Sequence, residues 1–241
     1  MSYLHRAFVR AGRTGTALTL NEGCHAGEQG VPVGGSATGT LSGHHDGVMP
    51  IDQLTRLGMV REIVRWGAPV LYQPARPITE FGDALQYLLG DMFATNAAAH
   101  GAGLAAPQIG VGLAAFVYDC VDAELRRHIG VVCNPVVEVP RGRDRHLETW
   151  DEGCLSLPGA VAELARPDVA VCRGQDQYGH DIELIGTGQL ARCFQHETDH
   201  LDGIVFGDRL SSRRCRGLYE SHRQVADQYP VDWPVTPASR A

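Results

Sequence analysis

The stretch Gln195-His196-Glu197-Thr198-Asp199-His200 decides how the rest of the chain is read. It carries an H-E-x-x-H pattern. On a helix, His196 and His200 stand one turn apart on the same face. Two imidazoles at that spacing can grip one metal ion, with Glu197 beside it to handle protons. In a chain of this size and histidine content, such a triplet arises by chance roughly a few times in a hundred. The pattern therefore has to be weighed by the company it keeps.

Working outward, a helix opens near Gly188 and carries the motif, and Gly203 is its expected C-terminal stop. Upstream, Val169 to Cys172 and Asp181 to Ile185 flank a turn at Gln175-Asp176-Gln177-Tyr178-Gly179, which predicts a hairpin. Leu113 to Cys120 and Gly130 to Val139 are short apolar runs of strand type, the second interrupted at Asn134-Pro135. Further upstream, Phe81, Leu85, Leu88, Leu89, Met92 and Phe93 fall on one stripe of a helix. Thr79 is its expected cap, and the helix stops near Gly101. The stripe reads as a core-packing face. Order is expected to begin near Met59. After Leu210 the chain is basic at Arg213, Arg214 and Arg216, then polar with Pro230 and Pro234, which predicts a surface helix and a frayed end. The domain plan is thus a leader over 1–48, a catalytic domain over 59–212 and a C-terminal helix and tail over 213–241.

Composition narrows the functional classes. The 241 residues are 44% hydrophobic and 20% charged, ordinary for one globular domain with tails. A net charge of -7 gives the chain as a whole no electrostatic footprint for nucleic acid, and no specific nucleic-acid binding is expected. No run of 18 apolar residues exists, so no membrane helix is expected. Seven scattered cysteines are too few for a disulfide scaffold and fit a reducing cytosol. Residues 1–48 are rich in small residues and read as a disordered leader. Arg6, Arg10 and Arg13 without any acid nearby give a faint organelle-transit flavour, but the composition favours a dispensable leader, with Met49 or Met59 as alternative starts. His25, His44 and His45 in this leader read as solvated.

A catalytic metal site needs three protein ligands and an open position for water. Asp202 and Asp208 follow the motif and are candidates for the third. Cys154, in Glu152-Gly153-Cys154-Leu155-Ser156, is another, although a free cysteine is more often a small core residue than a ligand. A third segment, Gly101-Ala102-Gly103-Leu104-Ala105-Ala106-Pro107-Gln108, is glycine-rich but lacks the residues of a phosphate loop or a dinucleotide fingerprint. Its glycines would let a substrate backbone approach closely, and Gln108 could aim an amide N–H at a developing oxyanion.

Taken together, these segments resemble the peptide deformylase family. That family is marked, in order, by G-x-G-L-A-A-P-Q, E-G-C-L-S and Q-H-E-x-D-H-L-x-G, which here are Gly101–Gln108, Glu152–Ser156 and Gln195–Gly203. The resemblance covers about residues 60 to 212, including the Gly207-Asp208-Arg209-Leu210-Ser211 ending. It implies an α+β fold of antiparallel and mixed sheets packed around the central helix that bears the motif. It implies Cys154, His196 and His200 as ligands of one divalent ion, Fe2+ with Zn2+, Ni2+ or Co2+ as substitutes. It implies Glu197 as general acid/base, and Gln108 with the Leu155 N–H as oxyanion donors. Gly101 and Gly103 lie where the family pairs the substrate backbone as an added strand. Glu152 and Gln195 match supporting polar positions. Trp150, Leu190, Cys193 and Phe194 flank the motifs and are candidates for the methionine pocket. Many bacterial members carry an arginine shortly after E-G-C-L-S, whereas Leu157-Pro158-Gly159-Ala160-Val161 follows here, which leaves peptide affinity open.

The activity implied is removal of the formyl group from N-formylmethionine on new polypeptides in the cytoplasm, releasing formate. Arg213, Arg214 and Arg216 could touch ribosomal RNA near the exit tunnel, but three arginines are a weak signal. Two other readings compete: a metallopeptidase or amidase acting on another small acyl group, and a catalytically idle deformylase-like protein that binds peptide or ribosome. The second would show a broken ligand set or a missing Glu197, and neither is seen.

Overall fold

The motif helix, α3 (Gly188–Leu201), is buried along nearly its whole length and around most of its circumference. A helix hydrophobic on one stripe would need one covering layer; one hidden all round must sit inside the fold. The computed structural model describes residues 49–239, and the leader with its three histidines lies outside the described residues. Within that range α3 packs against five strands, β1 (Gly103–Ala105), β2 (Ala115–Val121), β3 (Arg127–Glu138), β6 (Val169–Gln175) and β7 (Asp181–Thr187). These form one sheet in the order β1-β2-β3-β6-β7, antiparallel at every step. A separate antiparallel hairpin joins β4 (Leu147–Gly153) to β5 (Val161–Pro167). The α+β class holds, and the only parallel pairing among the described residues is an isolated bridge between Arg76 and Leu113.

Gly188 enters α3 with φ +56, and a side chain there would press on Ala123. Gly203 ends it at φ +75, its N–H donating to the His200 carbonyl at 3.2 Å, a left-handed stop of the kind glycine supplies without strain. The sheet-facing side of α3 is apolar: Phe194 stands edge-on to Tyr118 at 5.5 Å and lies 6.1 Å from Phe116. The hairpin expected around Gly179 is β6–β7, with Asp176 Oδ1 accepting the N–H groups of Tyr178 and His180 at its turn.

Four expectations need correction. Thr79 does not cap α2 (Asp83–Ala98); Gly82 occupies that position with no side-chain cap. The apolar stripe itself is right, for Leu85, Leu89, Met92 and Phe93 are buried and Phe81 and Leu88 pack beside them. Order begins before Met59: Ile51–Leu57 form a short helix, α1, with Leu54 fully buried. Gly58 and Gly90 touch backbone to backbone, which lets α1 lie close on α2. The break at Asn134-Pro135 does not end β3 but is a bulge between Cys133 and Val136, with Asn134 at φ +50. Its side chain works as a piece of strand, accepting the Ile78 N–H and donating to the Ile78 carbonyl, both at 2.8 Å. Finally, the chain after α4 (Ser212–Val225) is not frayed. Trp233 is buried, its carbonyl accepts the Ile63 N–H at 3.0 Å, and Arg65 donates to the Pro230 carbonyl at 2.7 Å.

Candidate metal centre and cleft

The α3 face opposite the sheet carries His196 and His200, with ring centroids 5.0 Å apart. Cys154 meets them from the end of β4, its Sγ 3.3 Å from His200 Nε2. One donor atom from each of Cys154, His196 and His200 can be chosen so that all lie within 4.8 Å of one another, and all three residues are buried. This is the one such group among the described residues. Asp202 and Asp208 lie outside it; Asp208 instead accepts the Val205 N–H and caps a short turn. A thiol and two imidazoles converging in a buried pocket suit a divalent first-row ion.

The support behind His196 is ionic. His196 Nδ1 lies 2.8 Å from Glu152 Oε1. An ionised carboxylate only accepts, so Nδ1 carries the proton and Nε2 is left for the cluster. Glu152 also receives both arms of Arg166, at 2.7 and 2.8 Å, and Nη1 of Arg192 at 2.7 Å. Arg166 reaches on to Asp199 at 2.9 Å, and Asp199 pairs with Arg209. Every residue of β4 except Glu152 is at least partly exposed. The hairpin thus contributes little apolar core and is joined to α3 by charge. Burial alone would push the Glu152 carboxyl up, but hydrogen bonds from Arg166 and His196 outweigh it and hold it well below the usual carboxylate range. Burial also opposes charge on His196, yet Cys154 and Glu152 overcome it and raise its pKa well above the ordinary value. His200 is driven the other way by burial and by the neighbouring His196 and Arg166. A cation at the cluster would stand in place of the His196 proton.

Glu197 projects beside this group. It is buried, its Oε2 has no hydrogen-bond partner, and burial pushes its pKa up to about 7. Gln108 is held by a local bond: its Oε1 accepts the Ala105 N–H at 2.9 Å, which turns Nε2 toward Ser156 Oγ at 3.5 Å and Cys154 Sγ at 3.6 Å.

These groups open on a cleft of about 470 Å³. One wall is β1, an edge strand of the large sheet, and with the Ala105 N–H taken by Gln108 it is the Gly103 end of that edge that can accept another strand. A Cβ on Gly103 would stand 2.6 Å from Cys193 Sγ and 2.7 Å from Glu197 Oε1; one on Gly101 would press on Asn96 and Leu155. A side chain at either position would displace these neighbours. Trp150, Glu152, Leu155 and Cys193 line the cleft. Leu190 and Phe194 do not: they belong to the apolar cluster between α3 and the sheet. Gln195 also points elsewhere, tying α3 to the Pro167 carbonyl at 2.9 Å.

Sequence reasoning missed Arg166, Arg192, Tyr229 and Trp233. Arg192 had a signal, lying four residues before His196 on the same helical face. Its guanidinium lies 5.2 Å from the Trp150 ring and fixes that cleft residue. Arg166 and the two aromatic residues had none.

Residues 60–216 match the model of the polypeptide deformylase family. The chain is similar to peptide deformylase 1 of Streptomyces avermitilis, 46% identical over 204 residues that cover 78% of this chain and 94% of that protein. Among solved structures it is similar to the peptide deformylase of Thermus thermophilus, at 41% identity and TM-score 0.59 over 69% of this chain and 95% of that one. It is also similar to that of Synechococcus elongatus solved in complex with actinonin, at 35% identity and TM-score 0.59 over 66% and 86%. The chain belongs to the polypeptide deformylase family, metal-dependent hydrolases that remove the N-formyl group from formylmethionine at the start of new polypeptides and release formate.

Proposed function

We propose that Cys154, His196 and His200 hold the single divalent ion of this enzyme and that Glu197 moves the proton of the reaction. The observation that carries this reading is the convergence of the three donors beside a buried carboxylate oxygen that has no other partner. The sulfur donor favours a softer ion, and we propose Fe2+ as the native one, with Zn2+, Ni2+ or Co2+ able to replace it. When bound, such an ion acidifies water so that hydroxide is available near neutral pH.

The protein's own groups then have distinct tasks. Glu197 takes a proton from the attacking water at its unpartnered oxygen and passes it to the leaving amine nitrogen. A carboxyl with a pKa near neutrality is suited to both transfers. Gln108 Nε2 and the Leu155 N–H donate to the formyl oxygen as it becomes negative. Gly103, on the free edge of β1, and Gly101 just before it pair the substrate backbone. Trp150 and Cys193 border the methionine side chain. Glu152 orients His196. We place the activity in the cytoplasm, where formylated chains emerge, with the ribosome near its exit tunnel as a transient partner. No described helix is long and apolar enough to cross a membrane.

The test is formate release from formyl-Met-Ala-Ser and acetate release from its acetyl counterpart, using protein purified without oxygen and loaded with iron(II) or nickel(II). Rapid release from the formyl peptide alone supports the reading. Hydrolysis of both, or of neither, would replace it with a broader amidase or with an idle binding protein.

A further inference from the structure

Residues 226–239 lie beyond the family match and close one end of the cleft. Tyr229 and Trp233 are both on the cleft wall. Trp233 is anchored from behind by its bond to Ile63 and by Arg65, whose guanidinium lies 5.4 Å from the ring. Tyr229 stands edge-on to Trp233 at 5.4 Å and 89°. On its other side Tyr229 rests against Gly159, where a Cβ would come within 2.8 Å of the ring. His222 Nδ1 donates to the neighbouring Pro158 carbonyl at 2.9 Å. The segment is therefore fixed to the loop that follows Cys154, the same Leu157-Pro158-Gly159-Ala160-Val161 stretch that carries no charge.

The direction of a bound peptide follows from two glycines. Glu197 and Cys193 stand over Gly103, while Gly101, two residues back, faces the Leu155 side chain. Ala99, Leu155, Tyr229 and Trp233 belong to one apolar cluster and all four lie on the cleft wall. A peptide with its formyl amide at Glu197 and its backbone along Gly103 to Gly101 runs from the metal centre toward that cluster. We propose that Tyr229, backed by Trp233, is a specificity-determining residue that meets the side chains of the second and third residues of the substrate and favours aromatic or aliphatic ones over small polar ones. A rigid ring held from both sides offers contact area at little entropic cost. The inference rests on the deformylase reading of the same cleft.

The experiment compares kcat/KM for formyl-Met-Leu-Phe and formyl-Met-Ala-Ser in the metal-loaded full chain. The wild type should favour the first by about tenfold, the scale of an apolar pocket contact. Tyr229→Phe should keep that ratio and Tyr229→Ala should reduce it to about twofold. An unchanged ratio in Tyr229→Ala, with both peptides slowed alike, would show a purely structural role and overturn the inference. If Tyr229→Ala gives no cooperative melt, Tyr229→Leu keeps most of the buried volume without the ring. Its ratio should fall part of the way, and an unchanged one overturns the inference. Formate released from neither peptide by the wild type would remove the deformylase reading itself.

Discussion

The two ends of the cleft are built by opposite means. At the metal end, buried charges are wired together: Arg209, Asp199, Arg166, Glu152 and His196 form one continuous chain of ion pairs. At the peptide end, rings and aliphatic groups from segments far apart in the chain simply pack, as where Tyr229, Trp233, Leu155 and Ala99 share one apolar cluster. The first arrangement fixes a few atoms in position. The second shapes a surface. They should also fail differently. Removing one member of a buried charge network leaves its partners uncompensated, a loss of about 3–5 kcal/mol. Trimming a half-buried ring loses contact area and little else.

The largest effects are expected at the metal end. Glu197→Gln should lower kcat about 10³-fold, within the range of general acid–base catalysis, while metal content stays at one ion per chain. A loss of metal in that variant would make Glu197 a ligand instead. Gln108→Ala should lower kcat about 10²-fold, on the order of 3 kcal/mol, with KM little changed. A rise in KM alone would move Gln108 from transition-state stabilisation to plain substrate binding.

Glu152→Gln sharpens the contrast. It should weaken metal binding about 10- to 100-fold and lower stability by about 3 kcal/mol, measured by chelator competition and denaturant unfolding. Its folded pKa is depressed, so the stability it contributes is present above the ordinary glutamate value of about 4.3 and is lost as pH falls below it. The wild type should therefore lose stability in mild acid faster than the variant does. Equal acid profiles would show that the network adds no stability. The smallest effect belongs to Trp150→Ala, at a cleft residue still 39% exposed. A rise in KM of a few-fold with kcat nearly constant is expected.

The same contrast explains what the sequence made legible. The metal end could be read because its chemistry sits in short segments: two histidines one turn apart, a cysteine two residues after Glu152, and a glutamine closing a glycine-rich stretch. The stripe of α2 and the β6–β7 hairpin were equally local. Arg166 was invisible because arginine on an exposed hairpin ordinarily reads as a solvated charge, and only the fold shows it turned inward. Tyr229 and Trp233 were hidden for a related reason. A polar, proline-bearing tail has no periodicity, and the contacts that tie it down, with Ile63, Arg65 and Gly159, lie far away in the chain. The missed α1 is under two turns long, too short for a periodic signal. Leu190 and Phe194 were misplaced because nearness to a motif along a helix does not say which face a residue takes.

Metal titration of the apo protein and its ligand variants, under anaerobic conditions with a competing chelator, decides whether Cys154, His196 and His200 hold the ion. The wild type should take up one divalent ion per chain. Cys154→Ala and His200→Ala should each lose that ion by at least about 10²-fold in affinity, whereas Asp208→Asn should keep it. Undiminished binding in the Cys154 and His200 variants, or its loss in Asp208→Asn, would contradict the assignment of Cys154, His196 and His200 as the ligands.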